Sequence, residues 1–271
     1  MNLDTIAEVK RPASPDDIGP WRPNYAWLAG GTWLYSEPQI ATDTLIDLES
    51  LAWPPLTASP AGLEIAATCR VADLHAFTGP ADWKAVPLFR ECINSFLMSF
   101  KIWNAATIGG NIVMSLPAGA MISLTAALEG VCTLWPRDDA ARTVPVVDFV
   151  TGNHANVLRP GELLRSIHLP ASALTKRYAM RQMSLTPLGR SAALIVATVD
   201  HDGKDFLLTV TAATPRPVHL RFDRTPSALE LRQAIDRQLP AEGYFQDVHG
   251  SAAYKRHITY YFAEQIRAEL A

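Results

Sequence analysis

Only two Gly-Gly dipeptides occur among the 15 glycines of this 271-residue chain, Gly30-Gly31 and Gly109-Gly110. Each follows a short apolar run, Tyr25-Ala26-Trp27-Leu28-Ala29 in the first case and Ala105-Ala106-Thr107-Ile108 in the second. Each precedes a small polar residue, Thr32 or Asn111. Glycine admits positive φ and carries no Cβ, so successive backbone N–H groups can turn toward one point. Such a concavity binds phosphate oxygens, and a Thr hydroxyl or Asn amide adds a donor. Two of them can clamp a diphosphate without any lysine. Taken singly, either pair reads better as a tight turn and nothing more.

Bulk properties narrow the ligand. The chain is 48% hydrophobic and 19% charged, an ordinary globular balance with ample apolar material for a core. Its formal net charge is -3 and its basic residues are scattered, which argues against a nucleic-acid surface. No apolar run approaches the ~18 residues of a membrane span. Met1-Asn2-Leu3-Asp4 does not open a basic-then-apolar secretory signal, so a cytoplasmic protein is expected. Cys69, Cys92 and Cys132 are far apart and form no CxxC pair, which excludes a four-cysteine iron–sulfur cluster on this chain alone. They read as small buried hydrophobes. The seven histidines show no metal-ligand spacing. Neither G-x-G-x-x-G nor G-x-S-x-G occurs, so a Rossmann NAD site and a hydrolase elbow are both unsupported.

The pattern along the chain predicts short strands at 6–10, 25–28, 44–48, 62–69, 131–135, 143–147 and 163–169. Helices are expected at the Ser14-Pro15-Asp16-Asp17 start, over 70–77 and after Pro117, with Gly130 as a stop. Apolar residues at 88, 89, 93, 96, 97 and 100 predict one helix over 87–100. Beyond residue 172 the texture changes. Three successive strands, 177–185, 191–199 and 205–213, are followed by two amphipathic helices around 229–239 and 254–270. Strands followed by helices, without alternation, argue for an α+β second domain.

The flanks of the glycine pairs carry a resemblance. Lys101-Ile102-Trp103-Asn104-Ala105-Ala106-Thr107-Ile108-Gly109-Gly110-Asn111-Ile112 resembles the "IRN-x-ATIGGN-[IL]" stretch of the FAD-binding medium subunits of molybdenum hydroxylases, the xanthine dehydrogenase and carbon monoxide dehydrogenase flavoprotein type. Leu28-Ala29-Gly30-Gly31-Thr32 resembles their "AGGTDL" loop, and Gly62 to Thr68 their "G-x-x-IGA-x-T" strand. Ser251-Ala252-Ala253-Tyr254-Lys255-Arg256 is similar to the "S-A-x-YR" opening of their last helix.

The resemblance implies an α+β fold. A two-lobed FAD-binding domain of the vanillyl-alcohol-oxidase (PCMH) type would span 1–172, followed by a small domain, 173–271, with a three-stranded antiparallel sheet and helices. It implies FAD bound through Leu28, Ala29, Gly30, Gly31, Thr32, Trp33, Thr107, Ile108, Gly109, Gly110, Asn111 and Leu164. The pyrophosphate would lie between the two loops, and Leu164 would run beside the nucleotide. With no His in or beside either loop, the FAD is expected to be non-covalent. The implied role is that of an electron-transfer subunit in a molybdenum hydroxylase. It would take electrons from [2Fe-2S] clusters on a small partner subunit and pass them to an external acceptor, while a large partner holds molybdopterin. The assembly would be a dimer of heterotrimers. No catalytic acid, base or nucleophile and no metal ligand is expected on this chain.

The chain departs from the family pattern at several points. Trp33 replaces the Asp after "AGGT", Trp103 the Arg of "IRN", and Ala120 the Asp of "ASP-x-x-D". Tyr178 to Ser184 lacks the Lys and paired Arg of "Y-x-K-x-x-RR". A structural subunit that has lost flavin and a stand-alone FAD oxidoreductase are the alternatives.

Overall fold

A computed structural model of the protein describes residues 3–96, 98–136, 140–187 and 189–271. Met1, Asn2 and Leu97, used in the readings above, lie outside these residues. The chain opens with β1 (Glu8–Lys10), a single 3-10 turn (Pro15–Ile18), β2 (Tyr25–Leu28) and β3 (Thr44–Asp47). These strands form a parallel sheet in the order β1-β3-β2.

The next stretch builds the largest core. It runs β4 (Leu56–Ser59), β5 (Gly62–Ala66), α1 (Val71–Ala76), α2 (Pro87–Asn94), α3 (Phe100–Trp103), α4 (Ile108–Met114), α5 (Ala120–Ala127), β6 (Val131–Trp135) and β7 (Arg142–Pro145). It continues with α6 (Val146–Phe149), β8 (Val150–Gly152), β9 (Ala155–Asn156), β10 (Leu163–Pro170) and α7 (Ala171–Leu174). The antiparallel sheet β4-β5-β10-β6-β7 is centred on β10, whose Leu164, Ile167 and Leu169 enter the main core on either side of a bulge between Leu164 and Ser166. The single helix expected over 87–100 is two. The N–H of Ser95 bonds the Glu91 and Cys92 carbonyls, while its hydroxyl donates to Cys92 O and competes with continuation of the helix.

The last part is β11 (Arg177–Ser184), β12 (Ser191–Val199), β13 (Lys204–Thr211), β14 (Val218–Arg224), α8 (Ala228–Gln238) and α9 (Ala252–Leu270). Its sheet has four strands in sequence order, one more than the three expected. The added strand, β14, buries only Leu220 and turns Arg221, Asp223 and Arg224 outward, so its alternation is masked by edge charges.

Why β12 reads as an unbroken apolar run is now clear: both of its faces are covered. Ala193, Ile195, Ala197 and Val199 face the core under α8 and α9. Leu194 and Val196 belong instead to the core around α5 and the five-stranded sheet. Polar links cross the same contact. Ser123 Oγ lies 2.6 Å from Thr211 Oγ1. Buried Lys176 pairs with Glu129 at 3.0 Å and Asp205 at 2.6 Å, and Arg221 pairs with the same two carboxylates.

Candidate functional site

Three backbone segments converge beside the cores: 29–34 after β2, 67–71 after β5, and 105–111 entering α4. The middle and last run side by side. Ile108 N–H donates to Cys69 O at 2.9 Å, Gly109 N–H to Ala67 O at 3.0 Å, and Val71 N–H to Ala106 O at 2.9 Å. The first glycine pair then packs onto this ledge. A Cβ on Gly30 would fall 1.8 Å from Ala105 O, so only glycine permits the approach.

The two pairs prove to be different devices. Gly31 has φ +67, the left-handed turn that glycine allows, and a Cβ there would also meet the Tyr35 ring at 2.5 Å. Among the described residues no protein acceptor takes the N–H of Gly30, Gly31, Thr32, Trp33 or Leu34. These consecutive donors are a ready anion cradle. Gly109 and Gly110 sit in the first turn of α4 instead, with helical backbone. Thr107 caps that turn, its Oγ1 accepting Gly110 N–H at 3.1 Å and its carbonyl accepting Asn111 N–H at 3.1 Å. The reading of the second pair as a cradle of N–H donors is corrected for residues 108–111, whose N–H groups are already taken by helix capping and the 67–71 ledge. What this segment offers is space and side chains. Gly109 lets α4 lie on Ala67, 2.5 Å from where its Cβ would be, and Gly110 is open except for Thr107 Oγ1 at 2.9 Å.

Between these segments opens a cleft of about 730 Å³. Ala29, Gly30, Gly31, Thr32 and Trp33 line one side, and Thr107, Gly110 and Asn111 another. Asn111 Oδ1 accepts Met121 N–H at 3.1 Å and so caps α5, whose own cap Gly119 has no side chain. Ala29, Gly30 and Thr107 also border a smaller cavity of about 370 Å³ on the other side of the loop, lined by Leu28, Arg70 and Asn104. Ile108 and Gly109 are buried and line neither space. Leu164 is 1% exposed in the core, and its side chain faces no cleft.

The replaced positions fall out differently. Trp33 is 37% exposed at the cleft, its ring 5.8 Å from that of His154. Trp103 packs on His75 at 5.0 Å and lies outside the cleft, its buried Nε1 without a hydrogen-bond partner among the described residues. Trp27 stacks on Trp21 at 4.7 Å and donates Nε1 to Glu162 O at 3.2 Å. Ala120 is 1% exposed at the first turn of α5.

Residues beyond the motifs complete the cleft: Ser95, Phe96, Met98 and Ser99 from the α2–α3 connection, and Asn153-His154 from the β8–β9 turn, beside Ile102 of the second motif on α3. Arg190, Ser191, Phe245, Asp247 and His249 close it from the C-terminal part. Only Asp247 and His249 had a sequence signal within reach, four and two residues before the Ser251-Ala252-Ala253-Tyr254 stretch. Arg190 and Ser191, at the start of β12, reach the cleft through the packing of that strand on α5.

The cysteines are free and buried, and burial pushes the Cys69 and Cys132 thiols up to about 12 and that of Cys92 higher still. They are inert packing residues. No cluster of three or more His, Cys, Asp or Glu with metal-binding potential exists among the described residues. Among them, too, no helix is long and apolar enough to cross a membrane.

Solved structures share this fold over nearly the whole chain. The quinoline 2-oxidoreductase structure from Pseudomonas putida 86 matches with a TM-score of 0.79 at 18% identity, over 100% of this chain and 98% of that one. The cyanide-inactivated Cu,Mo-CO dehydrogenase matches with 0.80 at 21% identity, over 98% and 99%. The carbon monoxide dehydrogenase from Hydrogenophaga pseudoflava that lacks the Mo-pyranopterin moiety gives 0.78 at 20% identity, over 96% of each chain. At such identities the likeness establishes the fold. No curated protein sequence matches the chain significantly. The family model described as the FAD binding domain in molybdopterin dehydrogenase matches residues 5–172, a span that contains both glycine pairs, the ledge between them and α5. With more than half of the chain inside that match, the protein belongs to the family of FAD-binding domains of molybdopterin dehydrogenases.

Proposed function

We propose that the chain holds FAD non-covalently in the cleft and works as the electron-transfer subunit of a cytoplasmic molybdenum hydroxylase. Residues 1–172 act as the FAD-binding domain, and 173–271 as the domain that closes over it. The observation that carries this reading is the row of N–H groups from Gly30 to Leu34 that have no protein acceptor among the described residues, on residues that line the same cleft as Thr107, Gly110 and Asn111. A diphosphate needs many donors and no bulk, and this arrangement supplies both without lysine. Bound FAD supplies the redox chemistry, accepting electrons singly and releasing them in pairs. The protein's share is position, shielding and charge. Thr32, Thr107 and the Asn111 amide nitrogen add donors around the diphosphate, while Trp33, Met98 and Ile102 supply apolar cover.

A [2Fe-2S] small subunit delivers the electrons, a molybdopterin-binding large subunit generates them, and the three chains pair as a dimer of heterotrimers. The solved CO dehydrogenase and quinoline oxidoreductase structures of the same fold support this assignment. Purified protein is expected to be yellow and to release its flavin on acid precipitation. Flavin kept in the pellet would point to attachment at His154 or His249, the two histidines in the cleft. A colourless protein that takes up no added FAD would instead indicate the flavin-free structural subunit. Affinity purification from the native host should bring down molybdenum and iron in stoichiometric amounts. A chain that binds FAD but elutes alone would be a solitary oxidoreductase.

Gly110 gives a cleaner test than the other glycines. Its missing Cβ faces the cleft, so Gly110→Leu fills binding space while leaving the ledge untouched. The leucine Cβ would displace the Thr107 hydroxyl from its capping position, a loss of about 1 kcal/mol that the better helix propensity of leucine offsets, while the purified variant carries no flavin. Normal FAD content would place the cofactor away from α4.

A further inference from the structure

The cleft wall supplied by residues 245–249 is fixed from behind by a buried cation. Lys255, fully buried in the first turn of α9, sends Nζ to Asp247 Oδ1 at 2.9 Å and to the Ala212 carbonyl at 3.2 Å. The same nitrogen lies 5.3 Å from the centre of the Phe245 ring. Asp247 Oδ1 also accepts the N–H of His249 at 2.9 Å. Both bonds converge on one oxygen of the carboxylate. Among the described residues Oδ2 has no partner, and the side chain is 22% exposed in the lining of the cleft. Burying a lysine completely costs several kcal/mol unless it is well paired, more than positioning an ordinary surface loop requires.

Resting on the FAD reading above, we infer that Asp247 is a cofactor-contacting residue whose Oδ2 accepts a hydrogen bond from the flavin half of FAD, with Lys255 as its positioning residue. The chemistry of the cofactor rules out the diphosphate, and titration with ADP separates the flavin half from the adenosine hydroxyls and amine. A diphosphate is anionic and offers only acceptors, so it is repelled by a carboxylate and belongs at the Gly30–Leu34 donors. The flavin half offers ribityl hydroxyls and the ring imide N–H as donors. A negative charge beside the ring also disfavours its electron-rich reduced form, so the pair sets the flavin potential as well as its orientation.

Full-length protein is titrated with FAD, FMN and ADP, and the midpoint potential of bound flavin is read by spectroelectrochemistry. Asp247→Asn should weaken FAD and FMN binding about tenfold, the scale of one charge-assisted hydrogen bond, and leave ADP binding unchanged. Its flavin potential should move to more positive values. Because Asp247→Asn leaves Lys255 unpaired, the double variant D247N/K255M carries the same test with no orphaned buried charge. It should show the same selective loss. Lys255→Arg keeps both the cation and Asp247 and should leave both readouts at their wild-type values. Unchanged FMN affinity and potential in the folded double variant, or a loss confined to ADP, overturns the assignment. Failure of the wild-type protein to bind FAD at all would overturn the functional reading instead.

Discussion

Gly30→Ala is expected to abolish flavin binding and to lower thermal stability in the same variant. The added Cβ would lie 1.8 Å from Ala105 O and 2.8 Å from the Ala105 carbonyl carbon, both backbone atoms of the ledge. Neither can yield without moving the 105–109 segment, which is tied to Cys69 and Ala67 by the Ile108 and Gly109 N–H groups. The loop must therefore lift away, taking the Gly30–Leu34 donors with it. Overpacking of this kind costs about 3 kcal/mol, the upper end of its usual range. For a chain of this size that corresponds to a fall in melting temperature of about 6–12 °C, read by calorimetry. Flavin content per polypeptide gives the second readout. A variant that melts as wild type and retains FAD would show that the loop does not pack on Ala105. The contrast with Gly110→Leu is diagnostic, because that change should remove flavin and spare stability.

The second large effect is expected at Arg142. Its Nε and Nη2 both reach the Glu162 carboxylate at 2.7 Å, and Nη2 also donates to Val157 O at 3.0 Å. The Glu162 side chain is 1% exposed, and its Oε2 accepts Arg159 N–H at 3.0 Å. The knot matters beyond itself, since the Glu162 carbonyl receives the Trp27 indole N–H and so ties β2 to the start of β10. Arg142 hydrogen bonds hold the Glu162 carboxyl below its ordinary 4.5, against a burial effect that acts upward, with the Arg159 N–H helping. A depressed carboxyl stabilises the fold fully above the unfolded value, and the contribution is lost as pH falls through the lower folded one. In the wild type this loss belongs below about pH 4.5. Arg142→Met leaves a buried carboxylate without its cation, costing about 3 kcal/mol at neutral pH. Burial then governs Glu162 and raises its carboxyl. The deficit should shrink as the variant is acidified, the reverse of wild-type behaviour. Urea titrations at pH 7 and pH 5 check the sign, and an equal deficit at both would refute the buried-pair account.

Much of the fold was legible because its signals are local. Tyr25-Ala26-Trp27-Leu28 and Leu163 to Leu169 alternate or run apolar over strand lengths, and Ser251 caps α9 with Oγ accepting Tyr254 N–H at 3.2 Å. The strand missed, β14, is an edge whose outward charges hide Leu220 and Phe222. The helix drawn too long, over 87–100, ended at a serine whose hydroxyl competes for the turn. Both failures come from side chains whose role depends on what lies next to them.

The sequence by itself determined that two glycine pairs, with Thr32, Thr107 and Asn111 beside them, could serve a diphosphate, and which family carries them. Only the tertiary structure decided how. It gave the first pair the free donors and the second the clearance, because Thr107 and the 67–71 ledge already satisfy the N–H groups of α4. It also brought Asp247 to the cleft, with Lys255 buried behind it, more than 130 residues from either pair. A glycine's freedom can be read from its identity. Whether that freedom is used for a turn, a close approach or an open wall depends on the neighbours that packing places within 3 Å.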